Sequence, residues 1–175
     1  LKLLPIDFPD YNSIDTIDAS NTLRLGMRNK LQTWREDQMS TWVQSALFVD
    51  WRLDKNRGQS TFSNVYSDLD FKPREWMTFT SETRYDPSGG VFRESNHYLT
   101  LNPNPIWAAS LGNRYLDGAD PVFAPALGSN LSYSGLYLRL TENWGLNTRH
   151  YFEARDGVLE DQYYTLYRDL ESWTS

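Results

Sequence analysis

The sequence predicts an all-β chain, an antiparallel up-and-down meander, on three observations. Polar and apolar residues alternate with period two through nearly every segment, the signature of strands with two unlike faces. Short and long connections follow one another in turn, and tryptophans gather beside the short ones. No helical period holds over any long window.

Residues 22–32 set Leu23, Leu25, Met27 and Leu31 on one face against Arg24, Gly26, Arg28 and Lys30 on the other. The clearest case is 41–54, where Val43, Leu47, Val49, Trp51 and Leu53 alternate with Gln44, Asp50 and Arg52. In 64–72, Val65, Leu69 and Phe71 oppose Asn64, Asp68, Asp70 and Lys72; in 76–86, Met77, Phe79 and Tyr85 oppose Thr78, Thr80, Glu82 and Arg84. Further strands are expected at about 95–102, 106–115, 130–142, 146–155 and 159–170, making nine, with a tenth beginning at Trp173. Within 130–142 the apolar phase moves from Leu131 and Tyr133 to Leu136, Leu138 and Leu140, which predicts a bulge near Gly135. Residues 159–170 alternate poorly.

Tight turns are expected at 72–75, 102–105, 142–145 and 169–172, and longer loops at 54–61, 86–95 and 116–129. The connection at 34–40 is intermediate and that at 155–159 is shorter than the other loops. Trp34, Trp42, Trp76, Trp107, Trp144 and Trp173 all sit beside the short-turn side, and only Trp51 toward the other; Trp42 and Trp76 are out of phase with their strands' apolar face. Short turns at one end, longer loops at the other, strands of about ten residues and an aromatic girdle describe a transmembrane β-barrel. A soluble β-sandwich or solenoid also alternates, but mid-strand charges of both signs (Arg24, Arg28, Asp50, Asp68, Asp70, Glu82, Arg84) favour one face in a wet lumen and the other in lipid.

Composition narrows the classes. Hydrophobic residues make up 39% of the 175, aromatics 15% and charged residues 23%, an aromatic-rich balance that disordered chains lack. The longest apolar runs, Ala46–Val49 and Ile106–Ala109, are far short of the roughly 18 residues of a spanning helix. A net charge of −6 speaks against nucleic-acid binding, and the absence of cysteine removes disulfides and thiolate metal sites. Opening on Leu1, the chain reads as a mature segment or internal fragment, one partial barrel domain over 1–175 truncated at both ends.

No catalytic constellation is visible, so no enzyme, cofactor or metal is expected. His97 and His150 read as polar or rim residues, Asp117–Asp120 is too short for a calcium loop, and Asp86–Gly90 is a turn with no helix behind it.

Several runs resemble the LptD/OstA family of lipopolysaccharide-assembly (organic solvent tolerance) proteins. They are Leu23-Arg24-Leu25-Gly26-Met27-Arg28-Asn29-Lys30-Leu31-Gln32-Thr33, Phe62-Ser63, Asp68-Leu69-Asp70-Phe71-Lys72-Pro73 with Trp76, Arg84-Tyr85-Asp86, and Tyr167-Arg168-Asp169-Leu170 before Trp173. The resemblance implies a barrel of about twenty-six strands, of which this chain supplies roughly ten from the C-terminal half. It also implies transport of lipopolysaccharide to the outer leaflet of the Gram-negative outer membrane, a lipoprotein plug in the lumen and a periplasmic transport bridge as partners. The seam's last strand is then expected beyond Ser175. Glu171-Ser172 departs from the family's usual His followed by Asp or Cys, so disulfide gating is not expected from this segment. A porin-like channel, or a secreted β-protein binding glycans through aromatics, are the other readings.

Six basic residues share the lumen phase: Arg24, Arg28, Lys30, Arg52, Arg84 and Arg114. Their plain role is cross-strand pairing with Asp50, Asp68, Asp70 and Glu82. Their sharper role is contact with anionic phosphate or core sugar, which the planar fork of arginine suits.

Overall fold

A computed structural model describes residues 21–35, 37–55, 59–118 and 128–169. Nine strands form one antiparallel sheet in chain order: β1 (Thr22–Arg35), β2 (Gln38–Arg52), β3 (Val65–Arg74), β4 (Met77–Asp86), β5 (Val91–Asn104), β6 (Trp107–Leu116), β7 (Ser129–Arg139), β8 (Trp144–Glu153) and β9 (Val158–Arg168). Each pairs only with its neighbours in sequence, and β1 and β9 do not meet. The expected all-β meander is borne out, and the open sheet suits an arc of a larger barrel. The tenth strand expected from Trp173 lies outside the described residues, as do most of the loop at 116–129 and the pair Glu171-Ser172.

Directly opposed residues in an antiparallel ladder share a face, so the register sorts the side chains. One register line carries Leu31, Val43, Phe71, Phe79, Leu99 and Leu111 across the first six strands, and this is the outward, apolar face. On the other face, one line carries Arg28, Ala46, Asp68, Glu82, Asn96, Arg114, Leu131 and Glu153. The next carries Lys30, Gln44, Asp70, Thr80, Tyr98, Gly112, Tyr133 and Tyr151.

Burial is inverted relative to a water-soluble fold. Among the described residues no apolar side chain is buried, whereas Asp50, Ser63, Arg84 and Glu153 are. Leu111 is 55% exposed and Asp50 only 3%. A soluble sheet hides its aliphatic face; this one hides polar groups and leaves the aliphatic face open to its surroundings.

The short-turn end is built from local signals. Asp37, at φ 61°, closes the β1–β2 turn in the left-handed region that Asp tolerates better than most residues. The β3–β4 and β5–β6 hairpins repeat one device: the register shifts once between Phe71 and Arg74 and once between Leu101 and Asn104. Pro73 and Pro103 sit inside those shifts, where a missing N–H breaks no ladder bond. Asn104 then accepts from the amides of Ile106 (2.9 Å) and Trp107 (3.1 Å). Trp34, Trp76, Trp107 and Trp144 lie at this end, as expected. Trp42 stands beside the β1–β2 register shift, and Trp76 lies within the turn itself, which accounts for their phase.

Two expectations are corrected. The loop at 86–95 is a four-residue turn, because Gly90 (φ 67°) returns its amide to the Asp86 carbonyl at 2.9 Å and β5 starts at Val91. No bulge occurs near Gly135, since pairing with β6 and β8 runs unbroken past it. Alternation continues there, with Leu131 and Tyr133 on the inner face and Leu136 and Leu138 on the outer. The apparent phase slip is instead a change in what each face carries.

Gly112 is where the inner face needs no side chain. A Cβ there would stand 3.0 Å from the Tyr98 ring and 3.3 Å from the His97 carbonyl. In the intact protein in detergent, Gly112→Val is expected to lower the urea unfolding midpoint by the equivalent of roughly 1–3 kcal/mol. Gly26→Val, whose Cβ would meet nothing nearer than 3.4 Å, should cost less.

Candidate functional site

The inner face is the candidate site. Its six predicted basic residues divide into two sets of three.

Arg24 donates to both oxygens of Asp50, from Nε at 2.6 Å and from Nη2 at 2.8 Å, and its guanidinium lies 5.3 Å from the Phe48 ring centre. It is one pair of the cross-strand kind that the sequence offers among these residues, without specifying which. Arg52 donates at 3.1 Å to each of the carbonyls of Ser60 and Phe62, holding the 53–64 loop back against β2. The loop pairs there through Arg52 N to Thr61 O (2.9 Å) and Ser63 N to Asp50 O (2.8 Å). Arg84 is buried beside Glu94 at 3.8 Å. These three act within the sheet. Arg28, Lys30 and Arg114 are exposed on the same face, opposite Ala46, Gln44 and Asn96, and no ion pair engages them among the described residues.

A feature the sequence reading missed is a row of tyrosines. Tyr98 and Tyr133 stack at 5.7 Å over Gly112, Tyr133 and Tyr151 lie 5.2 Å apart, and Tyr151 and Tyr163 meet edge-on at 6.3 Å. Ser110 Oγ and the Tyr133 hydroxyl are hydrogen-bonded at 3.0 Å. Beside the row lies an open cleft of about 500 Å³ lined by Glu82, Asn96, Arg114 and the rings of Tyr98, Tyr133 and Tyr151. The signal was in the sequence: tyrosine at polar-phase positions, read at Tyr133 as a bulge.

At the opposite end from the short turns, the connections are clasped by charge. Arg93 bridges Asp86 (2.7 Å) and Asp117 (2.6 Å), joining the 87–90 turn to the start of the 117–128 loop. The Ser88 hydroxyl, the Arg93 guanidinium and the amides of Gly89 and Ser88 hold the Asp86 carboxyl well below the usual range. Glu153 is held down likewise, first by the Ser129 hydroxyl, then by the amides of Asn130 and Arg155. His97 and His150 both lie on the outer face, and no cluster able to hold a metal occurs among the described residues.

Two outcomes follow. Arg24→Ala leaves the buried Asp50 carboxylate uncompensated and should destabilise the intact protein by roughly 3 kcal/mol, whereas Arg28→Ala should stay within about 0.5 kcal/mol; chemical unfolding in detergent separates them. Because the folded-state acidity of Asp86 is shifted below the ordinary 3.8, its contribution is complete above that pH and fades as pH falls through and below it. The difference in thermal midpoint between the parent protein and Asp86→Asn should therefore be widest near neutral pH and close in acid.

No curated protein matches the chain. A family model described as LptD, LPS transport system D, matches residues 9–144, which takes in β1 through β7 and leaves the late run Tyr167–Leu170 outside. That match covers well over half of the sequence, and it agrees with the nine-stranded meander, its inverted burial and the run of motifs from Leu23 to Asp86. The chain belongs to the LptD family of lipopolysaccharide-transport proteins.

Proposed function

We propose that this chain forms part of the translocating barrel that carries lipopolysaccharide into the outer leaflet of the outer membrane, without catalysis of its own. The observation that carries the reading is the inversion of the two faces, aliphatic outward and charged inward, in a member of this family. A lumen lined in this way gives the polar part of a glycolipid a wet path while the outer face meets hydrocarbon. Family membership supports a plug lipoprotein and a periplasmic bridge as partners.

On this reading Arg28, Lys30 and Arg114 are the phosphate contacts, because their charges are exposed and unpaired among the described residues. Guanidinium and ammonium groups take phosphate oxygens through charge-assisted hydrogen bonds. Arg24, Arg52 and Arg84 hold the wall in shape. The tyrosine row offers flat apolar rings to sugar faces, and Glu82 and Asn96 meet hydroxyls.

A photocrosslinking amino acid placed in turn at Lys30, Arg114 and Leu111 of the full-length protein in cells tests this. Lipopolysaccharide adducts at Lys30 and Arg114 are expected to disappear when delivery from the periplasm is blocked, whereas Leu111, on the outer face, meets lipopolysaccharide already in the membrane and should keep its adducts. Adducts absent from all inner-face positions, together with ion conductance in planar bilayers, would favour the porin-like channel.

A further inference from the structure

Two arginines bracket the tyrosine row of the inner face. Tyr98, Gly112, Tyr133 and Tyr151 share one register line. One line nearer the long loops stands Arg114, between Asn96 and Leu131. One line nearer the short turns stands Arg149 on β8, opposite Gly135 on one side and Tyr163 on the other. Two residues from Tyr151 on the same strand, Arg149 shares that ring's face. It is exposed, and no ion pair engages it among the described residues.

Polar groups gather beside Arg149. A Cβ on Gly135 would stand 2.6 Å from Ser110 Oγ and 3.0 Å from the Tyr133 hydroxyl, so both oxygens lie over that glycine. They are hydrogen-bonded to each other at 3.0 Å, and any side chain at 135 would displace the pair. Because Gly135 is the direct cross-strand partner of Arg149, the guanidinium and the two hydroxyls occupy one stretch of wall beside the Tyr133 ring.

Arg114 and Arg149 are two strands and four residues apart on the register, which sets their Cα positions about 16 Å from each other at some 4.8 Å per strand and 3.3 Å per residue. A lone phosphate meets only one end of that span, whereas a short run of sugar rings covers it. The rings between are open to the lumen, Tyr98 being 41% exposed. Aromatic faces take the C–H faces of sugars, and guanidinium groups take phosphate or carboxylate oxygens through paired donors. Glu82 and Asp161, opposite Asn96 and Tyr151 toward the two ends of the row, offer acceptors to sugar hydroxyls.

We propose that Arg114, Tyr98, Tyr133, Tyr151 and Arg149 form a subsite for an anionic oligosaccharide, a short run of sugars bearing phosphate or carboxylate groups. Arg149 holds the anion nearest the short turns. The inference rests on the lipopolysaccharide reading above and deepens it: Arg149 joins the contacts, and the wall from β5 to β8 takes the glycan itself rather than an isolated phosphate.

Isothermal titration calorimetry of the full-length protein in detergent, with the oligosaccharide freed from lipopolysaccharide by deacylation, tests it. Arg149→Gln is expected to weaken binding about tenfold through loss of one charge-assisted contact, and Arg149→Lys to recover part of it. Tyr133→Leu should weaken binding several-fold, and Tyr133→Phe, which keeps the ring, should cost less. Heat-modifiable gel mobility confirms that each variant is folded. Phosphatase treatment of the oligosaccharide separates the two anions: the gap between the parent and Arg149→Gln closes if phosphate is held there and persists if a sugar carboxylate is. Inorganic phosphate alone should bind far more weakly, and an affinity equal to that of the oligosaccharide would overturn the subsite. So would unchanged oligosaccharide binding by both Arg149→Gln and Tyr133→Leu, a result that leaves the lipopolysaccharide reading standing. Absence of oligosaccharide binding by the parent protein would overturn the two together.

Discussion

The cross-strand backbone ladder is the constraint on which the rest of this sheet depends, because among the described residues no apolar side chain is buried behind it. In a soluble β-protein, sequestered aliphatic side chains and inter-strand hydrogen bonds share the work of holding strands together. Here the aliphatic side chains point outward and are exposed, so lateral cohesion comes from the ladder and from inner-face pairs such as Arg24 with Asp50. In hydrocarbon this arrangement is self-consistent. Backbone groups have no water to turn to, which makes each ladder bond costly to open, and outward aliphatics are at home.

That constraint explains where the sequence spends its special residues. Prolines 73 and 103 fall where the register already shifts, so no ladder bond is lost. Gly112 admits the Tyr98 and Tyr133 rings without disturbing β6. The charges of Arg93, Asp86 and Asp117 tie neighbouring strands and connections together at the strand ends, where pairing alone would fray. Each device keeps the hydrogen-bonding edge of a strand intact while the side chains do something else.

Much of this was legible in the sequence. Period-two alternation predicted nine strands and most of their faces, since Leu23, Leu25, Met27 and Leu31, and Val43, Leu47, Val49 and Trp51, recur at every second position despite Asn29, Ser45 and Phe48. What resisted was whatever depends on neighbours. That Arg24 would find Asp50 while Arg28 would face Ala46 is a matter of register, which turns and single-residue shifts set. The length of the 87–90 turn depended on a glycine at positive φ beside an aspartate able to accept from two amides. The segment 130–142 misled because hydropathy alone cannot tell a slip in register from a change in what each face carries: Leu131 and Tyr133 lie on the inner face, Ser132 and Ser134 on the outer, and the pairing runs unbroken.

The strictly sequential pairing also shapes how such a sheet comes together. With every described strand touching only the strands before and after it, no contact must wait for distant parts of the chain to find each other. Loop-closure entropy is small for each hairpin, and sequence-local contacts of this kind are the ones that form fast. Assembly can begin at any hairpin and spread in both directions, one strand at a time, as it does in repeat arrays whose units meet only their nearest neighbours. A lesion in one strand then divides the sheet into two ladders that each remain zipped, so damage is confined to the place where it occurs.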